Sequence, residues 1–191
     1  MGGGKLKKLG WITRGIDLIG EESDDIFIAD FCGYEFKEKF EFIRASGVLE
    51  HAKDVEKFVK KISLLLLDNE SVCQISVPQT NSFGFKYFKE NWIGFEVPRH
   101  LHSFNLNNLA ILLERSNLEV VGIGHELALG AFVHQLSLKW KLKFILKAWP
   151  LFYFLFIPID FLLKKVKKSV NVTLTIKRTQ SSPQQFGKVR C

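Results

Sequence analysis

The hydrophobic and polar positions of this chain follow two different periods, which predict strands and helices in alternation. Short apolar or β-branched runs predict strands at 12–18, 26–29, 40–45, 71–77, 118–123 and 170–177. Apolar residues recur at helical spacing over 51–67, with lysines between them, and a second amphipathic helix is predicted over 105–116. Strands that alternate with helices are typical of an α/β sheet.

Three segments fall outside this alternation. Residues 79–104 form a long connection rich in Asn, Gly and aromatic residues, and a connection of this length without a regular pattern indicates a functional or mobile loop. A hydrophobic helical insertion at about 127–168 precedes the last strand, and the polar residues 179–191 are predicted to form a flexible tail. We therefore predict one α/β domain over 1–178, followed by that tail.

The composition supports a folded domain in a reducing compartment. The chain has 191 residues, of which 47% are hydrophobic, and this length and hydrophobicity suit one domain with a sizeable core rather than a disordered segment. Its three cysteines, at 32, 73 and 191, are odd in number and form no CxxC pair, so neither a disulfide framework nor a zinc site is indicated. No apolar stretch of a signal peptide follows the first lysines, and a cytoplasmic location is the simplest prediction.

The net charge of +7 is concentrated near the C-terminus. Residues 139–178 contain ten Lys or Arg residues and a single acid, Asp160. Because these bases flank an apolar segment and form no polar stripe, they predict no nucleic-acid partner and favour an anionic membrane surface.

The apolar segment 142–163 has two interpretations. Its longest charge-free run, 148–159, contains Pro150 and Pro158, so it is too short and too interrupted for a membrane-spanning helix. Aromatic residues with lysines on both sides are typical of a helix that lies in the membrane interface. The alternative is burial by protein, either as a substrate cover or as the contact of a homodimer.

The most informative motif is the run FIRASGVLEH at 42–51. A short strand ends at Ser46-Gly47, and Gly47 has no side chain to prevent a ligand from approaching the backbone. In an open α/β sheet, ligands bind outside the carboxyl ends of the strands. Asp17 ends an earlier strand in the run GIDLIG, where an acid can accept both ribose hydroxyls of a nucleoside, or can simply stabilise a turn.

These runs, together with VPRHLHSF at 97–104, resemble the class I S-adenosylmethionine-dependent methyltransferases of the broad small-molecule group. The resemblance implies a Rossmann-like α/β sheet with flanking helices and a hydrophobic helical insertion before the last strand. It implies S-adenosyl-L-methionine as cofactor and a small-molecule or lipid-linked methyl acceptor. It also implies an N-terminally truncated fold, because the glycine-rich signature of the family follows its first strand, whereas here the glycines 2–4 begin the chain.

The resemblance assigns roles to particular residues. Cofactor contacts are expected from the glycines near the start, from the acids and an aromatic residue after the first two strands, and from the turn of the FIRASGVLEH run. These residues are Gly2, Gly4, Asp17, Asp30, Phe31, Ser46, Gly47 and Val48. His51 and Arg99 are expected to contact the substrate, since a guanidinium suits an anionic group.

His100 and His102 are the candidate catalytic bases, because an imidazole can take a proton from a hydroxyl or amine nucleophile. The alternative is that the two residues hold the loop by hydrogen bonds. A His-x-His pair also suggests a metal, but no third ligand is evident along the sequence, so we predict none.

A second function fits the same chain. A truncated, non-catalytic methyltransferase-like protein would act as a membrane-peripheral or partner-binding module. Loss of a central first strand would leave strand edges unpaired, and other parts of the chain or a second copy would have to cover them.

Overall fold

A computed structural model of the chain describes residues 8–126, 135–136 and 149–179. The chain divides into two compact units, Met1–Glu38 and Lys39–Cys191. Strands and helices alternate along it, which confirms the predicted α/β class. Among the predicted features, Gly2, Gly4, most of the insertion before residue 149 and nearly all of the tail lie outside the described residues.

The first unit contains a pair of short parallel strands, β1 (Gly15–Asp17) and β2 (Ile26–Ile28). Backbone hydrogen bonds extend the pair on both sides, from the Gly15 N–H to the Asp25 carbonyl and from the Ala29 N–H to the Asp17 carbonyl. Because the two strands are parallel, the residues that follow each of them lie at the same end of the pair.

The second unit contains a four-stranded sheet with the order β3-β4-β6-β5. Its strands are β3 (Phe42–Ser46), β4 (Val72–Pro78), β5 (Leu118–His125) and β6 (Asn171–Arg178). β3 is parallel to β4, and β6 is antiparallel to both of its neighbours. The carboxyl ends of β3, β4 and β5 therefore meet at one edge of the sheet, together with the start of β6.

The alternation along β6 explains its central position. Val172, Leu174 and Ile176 are at most 1% exposed, and the intervening residues are only partly covered. In a strand, alternate side chains lie on opposite faces, so these three residues form one apolar face. The same face continues across β4 through residues such as Ile75, which pairs with Leu174.

Two helices cover this sheet unit, as predicted. Helix α1 (Val55–Leu65) begins at Asp54, whose carboxylate accepts a hydrogen bond from the Lys57 N–H at 2.8 Å. It buries Val59 and Ile62 completely, while its lysines face outward. The second predicted helix is Leu106–Glu114, and Asn105 forms a reciprocal capping box at its start.

The connection over 79–104 is more regular than predicted. It contains helix α2 (Phe83–Phe88), which begins at Ser82, and a turn of 3-10 helix over Lys89–Asn91. Phe88 and Trp92 pack with Leu136 into a small buried cluster. The helix of Leu106–Glu114 is therefore α3 in chain order.

The described end of the insertion is helix α4 (Trp149–Lys165), which contains Pro158. Asp160 is buried, whereas Phe154, Phe161 and Leu162 are each more than half exposed. Within the described part of the chain, no helix combines the length and apolarity needed to cross a membrane.

Candidate functional site

The turn after β3 presents bare backbone at the carboxyl edge of the sheet. Gly47 has φ +66°, a left-handed conformation that costs other residues free energy, and its N–H donates to the Ser76 carbonyl at 3.0 Å. A methyl group added at Gly47 would approach no atom closer than the Glu50 Oε1, at 3.8 Å. The backbone conformation, rather than a lack of space, therefore favours glycine at this position. Ser46 and Val48 are exposed, so the turn is accessible to a ligand.

The loop over 95–104 is held against the next turn, a 3-10 helix over Leu49–His51. The backbone N–H groups of Leu101 and His102 donate to the Glu50 carbonyl, at 2.8 and 3.2 Å. The His102 Nε2 bonds to the Ala52 carbonyl at 2.9 Å. The two sequence motifs at 46–51 and 97–104 thus meet in one place.

Two histidine rings and a buried carboxylate meet beneath this loop. The rings of His51 and His100 lie edge to face, 4.7 Å apart, and the His100 side chain is only 8% exposed. Potential ligand atoms of Glu50, His51 and His100 all lie within 4.8 Å of one another. The Nδ1 atoms bond to backbone carbonyls, that of His51 to Arg99 at 2.8 Å and that of His100 to Gly94 at 2.7 Å.

Glu50 is the most buried acid of this group, with 3% of its surface exposed. Burial raises the pKa of its carboxyl, because water no longer stabilises the charged form. Its own backbone N–H and the nearby His100 and His51 oppose this effect without cancelling it. The Oε2 atom has no hydrogen-bond partner among the described residues.

The loop also carries an exposed ion pair. Arg99 Nη1 lies 2.6 Å from Glu96 Oε1, with the two side chains 70% and 47% exposed. Glu96 Oε2 is 3.2 Å from His100 Nε2. Arg99 is therefore accessible to an anionic group, which could replace Glu96 as its partner.

In the first unit, the candidate cofactor acids stabilise the turns after their strands. Asp17 Oδ1 accepts the Leu18 N–H at 2.7 Å, and Asp30 Oδ2 accepts the Gly33 N–H at 3.0 Å. Phe31 packs against Phe36, with ring centroids 5.8 Å apart. Both acids are exposed and follow neighbouring parallel strands.

A further acid at the sheet edge was missed by sequence reasoning. Glu126 follows β5, and its Oε1 accepts hydrogen bonds of 2.5 Å from the hydroxyls of Ser76 and Thr173. Asn171 Nδ2 donates to Oε2 at 3.3 Å. Burial alone would raise the pKa of this carboxyl, but the three hydrogen bonds outweigh burial and the charge of Arg44 adds to them, so the pKa is lowered.

The family is decided by a match to a family model described as a methyltransferase domain, which spans residues 10–123. The chain belongs to the methyltransferase-domain family. The match covers more than half of the chain and includes the 15–20, 46–51 and 97–104 runs, so the predicted resemblance is confirmed. No curated protein sequence matches the chain significantly.

Solved structures show that this methyltransferase domain shares its fold with larger enzymes. The Burkholderia thailandensis 1,6-didemethyltoxoflavin-N1-methyltransferase is 12% identical with a TM-score of 0.53, and the match covers 93% of this chain and 66% of that one. The mitomycin 7-O-methyltransferase MmcR is 13% identical with a TM-score of 0.50, and the match covers 82% of this chain and 35% of that one. A pericyclic reaction enzyme is 10% identical with a TM-score of 0.52, and the match covers 92% of this chain and 39% of that one. The chain thus spans from about a third to two thirds of the length of these enzymes.

The methyltransferase domain brings some predicted residues together. Ser46, Gly47 and Val48 lie one turn from His51, and the loop of Arg99, His100 and His102 contacts that same turn. Asp17, Asp30 and Phe31 form a separate group in the first unit. Glu50 and Glu126 had no predicted role. Glu50 follows the turn after β3 and Glu126 follows β5, and an acid just after a predicted strand is the sequence signal that would have identified both.

Proposed function

We propose that this methyltransferase domain binds S-adenosyl-L-methionine and transfers its methyl group to a small-molecule or lipid-linked acceptor. The observation that carries the proposal is the accessible Ser46–Val48 turn, at the carboxyl edge of the sheet and within the segment that matches the family model. The Burkholderia thailandensis enzyme of the same fold was solved with S-adenosylhomocysteine, the product of this cofactor.

The cofactor roles follow from the chemistry of each group. The Asp17 carboxylate is suited to accept both ribose hydroxyls, since a carboxylate has several lone pairs beyond those used in its turn. Asp30 is suited to accept from the adenine amino group, with Phe31 against the ring. Gly47 and its neighbours would supply backbone contacts to the methionine or adenine part. Gly2 and Gly4 stay predictions.

The transfer itself requires in-line attack. A nucleophilic oxygen, nitrogen or carbon of the acceptor forms a bond to the methyl carbon as the bond from that carbon to sulfur breaks, which leaves S-adenosylhomocysteine. The acceptor proton passes to an imidazole, for which His102 is the stronger candidate. Both ring nitrogens of His100 face oxygen atoms, those of the Gly94 carbonyl and of Glu96, whereas His102 uses only Nε2 in a hydrogen bond with a described residue. The domain contributes mainly by orientation of the two reactants.

Arg99 and His51 are assigned to the acceptor. The exposed guanidinium of Arg99 would exchange Glu96 for a carboxylate or phosphate of the acceptor, which it can bind through two parallel hydrogen bonds. Peripheral membrane contact through 142–163, a homodimer and a cytoplasmic location stay predictions.

A non-catalytic binding module is the alternative function. β3 is an edge strand of its described sheet, and α4 exposes Phe154, Phe161 and Leu162. An unpaired strand edge and exposed apolar side chains both favour association with another surface.

A product assay separates the two functions. The chain is incubated with S-adenosylmethionine and either a water-soluble or a lipid extract of the source cells, each freed of protein, and S-adenosylhomocysteine is measured by mass spectrometry. The proposal predicts product that requires both protein and one extract, and a much lower rate for His102→Gln. A folded chain that binds the cofactor but forms no product with either extract would favour the binding module.

A further inference from the structure

The cluster of Glu50, His51 and His100 has the composition of a metal centre. We propose that these three side chains bind one divalent first-row transition-metal ion. Two imidazoles and one carboxylate are the protein ligands of several catalytic zinc sites and of non-haem iron(II) sites. Magnesium and calcium prefer oxygen ligands throughout, so the two imidazoles disfavour them.

The distances suit a site that needs only small side-chain movements to close. The candidate ligand atoms lie within 4.8 Å of one another. Around zinc, with bonds of about 2.0–2.1 Å, tetrahedral ligand atoms are about 3.4 Å apart. The three groups are held on two different backbone segments, and a shift of about 1 Å per side chain, within the range of ordinary rotamer adjustment, would bring them to that spacing.

The hydrogen bonds of the two imidazoles orient them as ligands. A backbone carbonyl only accepts hydrogen bonds, so the Nδ1 of His51 must donate to the Arg99 carbonyl and that of His100 to the Gly94 carbonyl. In a neutral ring, the proton on Nδ1 leaves the lone pair on Nε2, where a metal binds. Metal-ligating histidines commonly donate their other nitrogen to a carbonyl in this way.

The carboxylate supplies an independent observation. Glu50 is 97% buried, since 3% of its surface is exposed, and its Oε2 lacks a hydrogen-bond partner among the residues that the structure describes. A buried carboxylate oxygen without a partner is costly, and coordination to a cation removes that cost.

Glu96 adds a fourth group on the loop side of the cluster. Its Oε2 is 3.2 Å from the His100 Nε2. A carboxylate oxygen thus lies beside the nitrogen that would bind the metal, and its negative charge favours a cation there.

The test measures metal binding directly and needs no substrate. The full chain is dialysed against a chelator and titrated with Co²⁺, whose visible absorption reports coordination by protein ligands, and with Zn²⁺ by calorimetry. Glu50→Gln and His100→Ala remove one ligand each. His102→Gln is the matched control, because it changes a histidine of the same loop while its amide can still donate to the Ala52 carbonyl.

The proposal predicts one ion per chain, with binding at least 10-fold weaker in Glu50→Gln and His100→Ala and unchanged in His102→Gln. Circular dichroism of each metal-free variant shows whether it is folded. Absence of stoichiometric binding by the folded wild-type chain, or equal binding by all variants, would overturn the proposal. Titration with S-adenosylmethionine is a separate measurement, so metal binding and the proposed function can fail independently.

Discussion

The Glu126 carboxylate joins the carboxyl ends of β4 and β5 to the start of β6, so its replacement should weaken the sheet edge. Its two oxygens accept from Ser76 on β4 and from Thr173 and Asn171 on β6, while Glu126 itself follows β5. Glu126→Gln keeps the shape of the side chain and removes its charge. One amide oxygen can still accept from the two hydroxyls, but the amide nitrogen would face the Asn171 donor.

The expected loss follows from the change in acceptor strength. Hydrogen bonds to a charged acceptor contribute about 1.5–3 kcal/mol each, and those to a neutral acceptor about 0.5–1.5 kcal/mol. Two hydroxyl bonds that change from a charged to a neutral acceptor therefore lose about 2 kcal/mol in total. The smaller desolvation cost of an amide offsets part of this loss, so we expect the free energy of unfolding to fall by about 1–2 kcal/mol.

The effect should also depend on pH in a defined direction. The pKa of Glu126 in the folded state lies below its ordinary value of 4.5. Its contribution to stability is therefore fully present above that value, and it is lost as the pH falls through the folded-state pKa. The difference between wild type and Glu126→Gln should be constant near neutral pH and shrink in acid.

Urea denaturation of both chains, at neutral pH and at several acidic values, measures this difference. Glu119→Gln is the control, because Glu119 is exposed on the same strand and its replacement should change stability by less than about 0.5 kcal/mol. If the Glu126→Gln chain were as stable as the wild type, or if the difference did not change with pH, the assignment of Glu126 as an ionised link between the strands would be wrong.

Three further predictions concern local features. Asn105→Ala removes the capping box of α3 and should lower the free energy of unfolding by about 1 kcal/mol in urea titrations, whereas the exposed Asn107→Ala should have little effect. Gly47→Ala should cost about 1–2 kcal/mol because of its positive φ; unchanged thermal and urea stability would argue against this turn. The Cys73 thiol, whose pKa burial raises to about 12, should react with a thiol reagent only after unfolding, and rapid labelling of Cys73 itself in the native chain, identified by peptide mass spectrometry, would contradict its burial.

Local patterns predicted the elements that are amphipathic along their whole length. The alternation of Val172, Leu174 and Ile176 and the helical spacing of Val59 and Ile62 are visible in the sequence because each element buries one continuous face. Helix α2 was not predicted, because its six residues are mostly aromatic and include a glycine, and such a segment has weak intrinsic helix propensity. It depends instead on its Ser82 cap and on packing in the tertiary structure.

The site was predictable only in part, for a related reason. Gly47 and the histidines of the loop carry recognisable local motifs. The contact of His51 with His100, and the hydrogen bonds of Glu126, depend on which strands and loops become neighbours, and strand order and register are not visible in a single segment. Of the metal ligands we propose, Glu50 and His51 are adjacent in the sequence, and only the fold brings His100 to them.

The central claim is that this methyltransferase domain binds S-adenosylmethionine through residues of the predicted cofactor site. Calorimetric titration of the cofactor into the 191-residue chain, beside an Asp17→Ala variant, tests it most directly. We expect micromolar binding by the wild type and clearly weaker binding by the variant, with both chains folded by circular dichroism. A folded wild-type chain that shows no binding, or a variant that binds equally well, would contradict it.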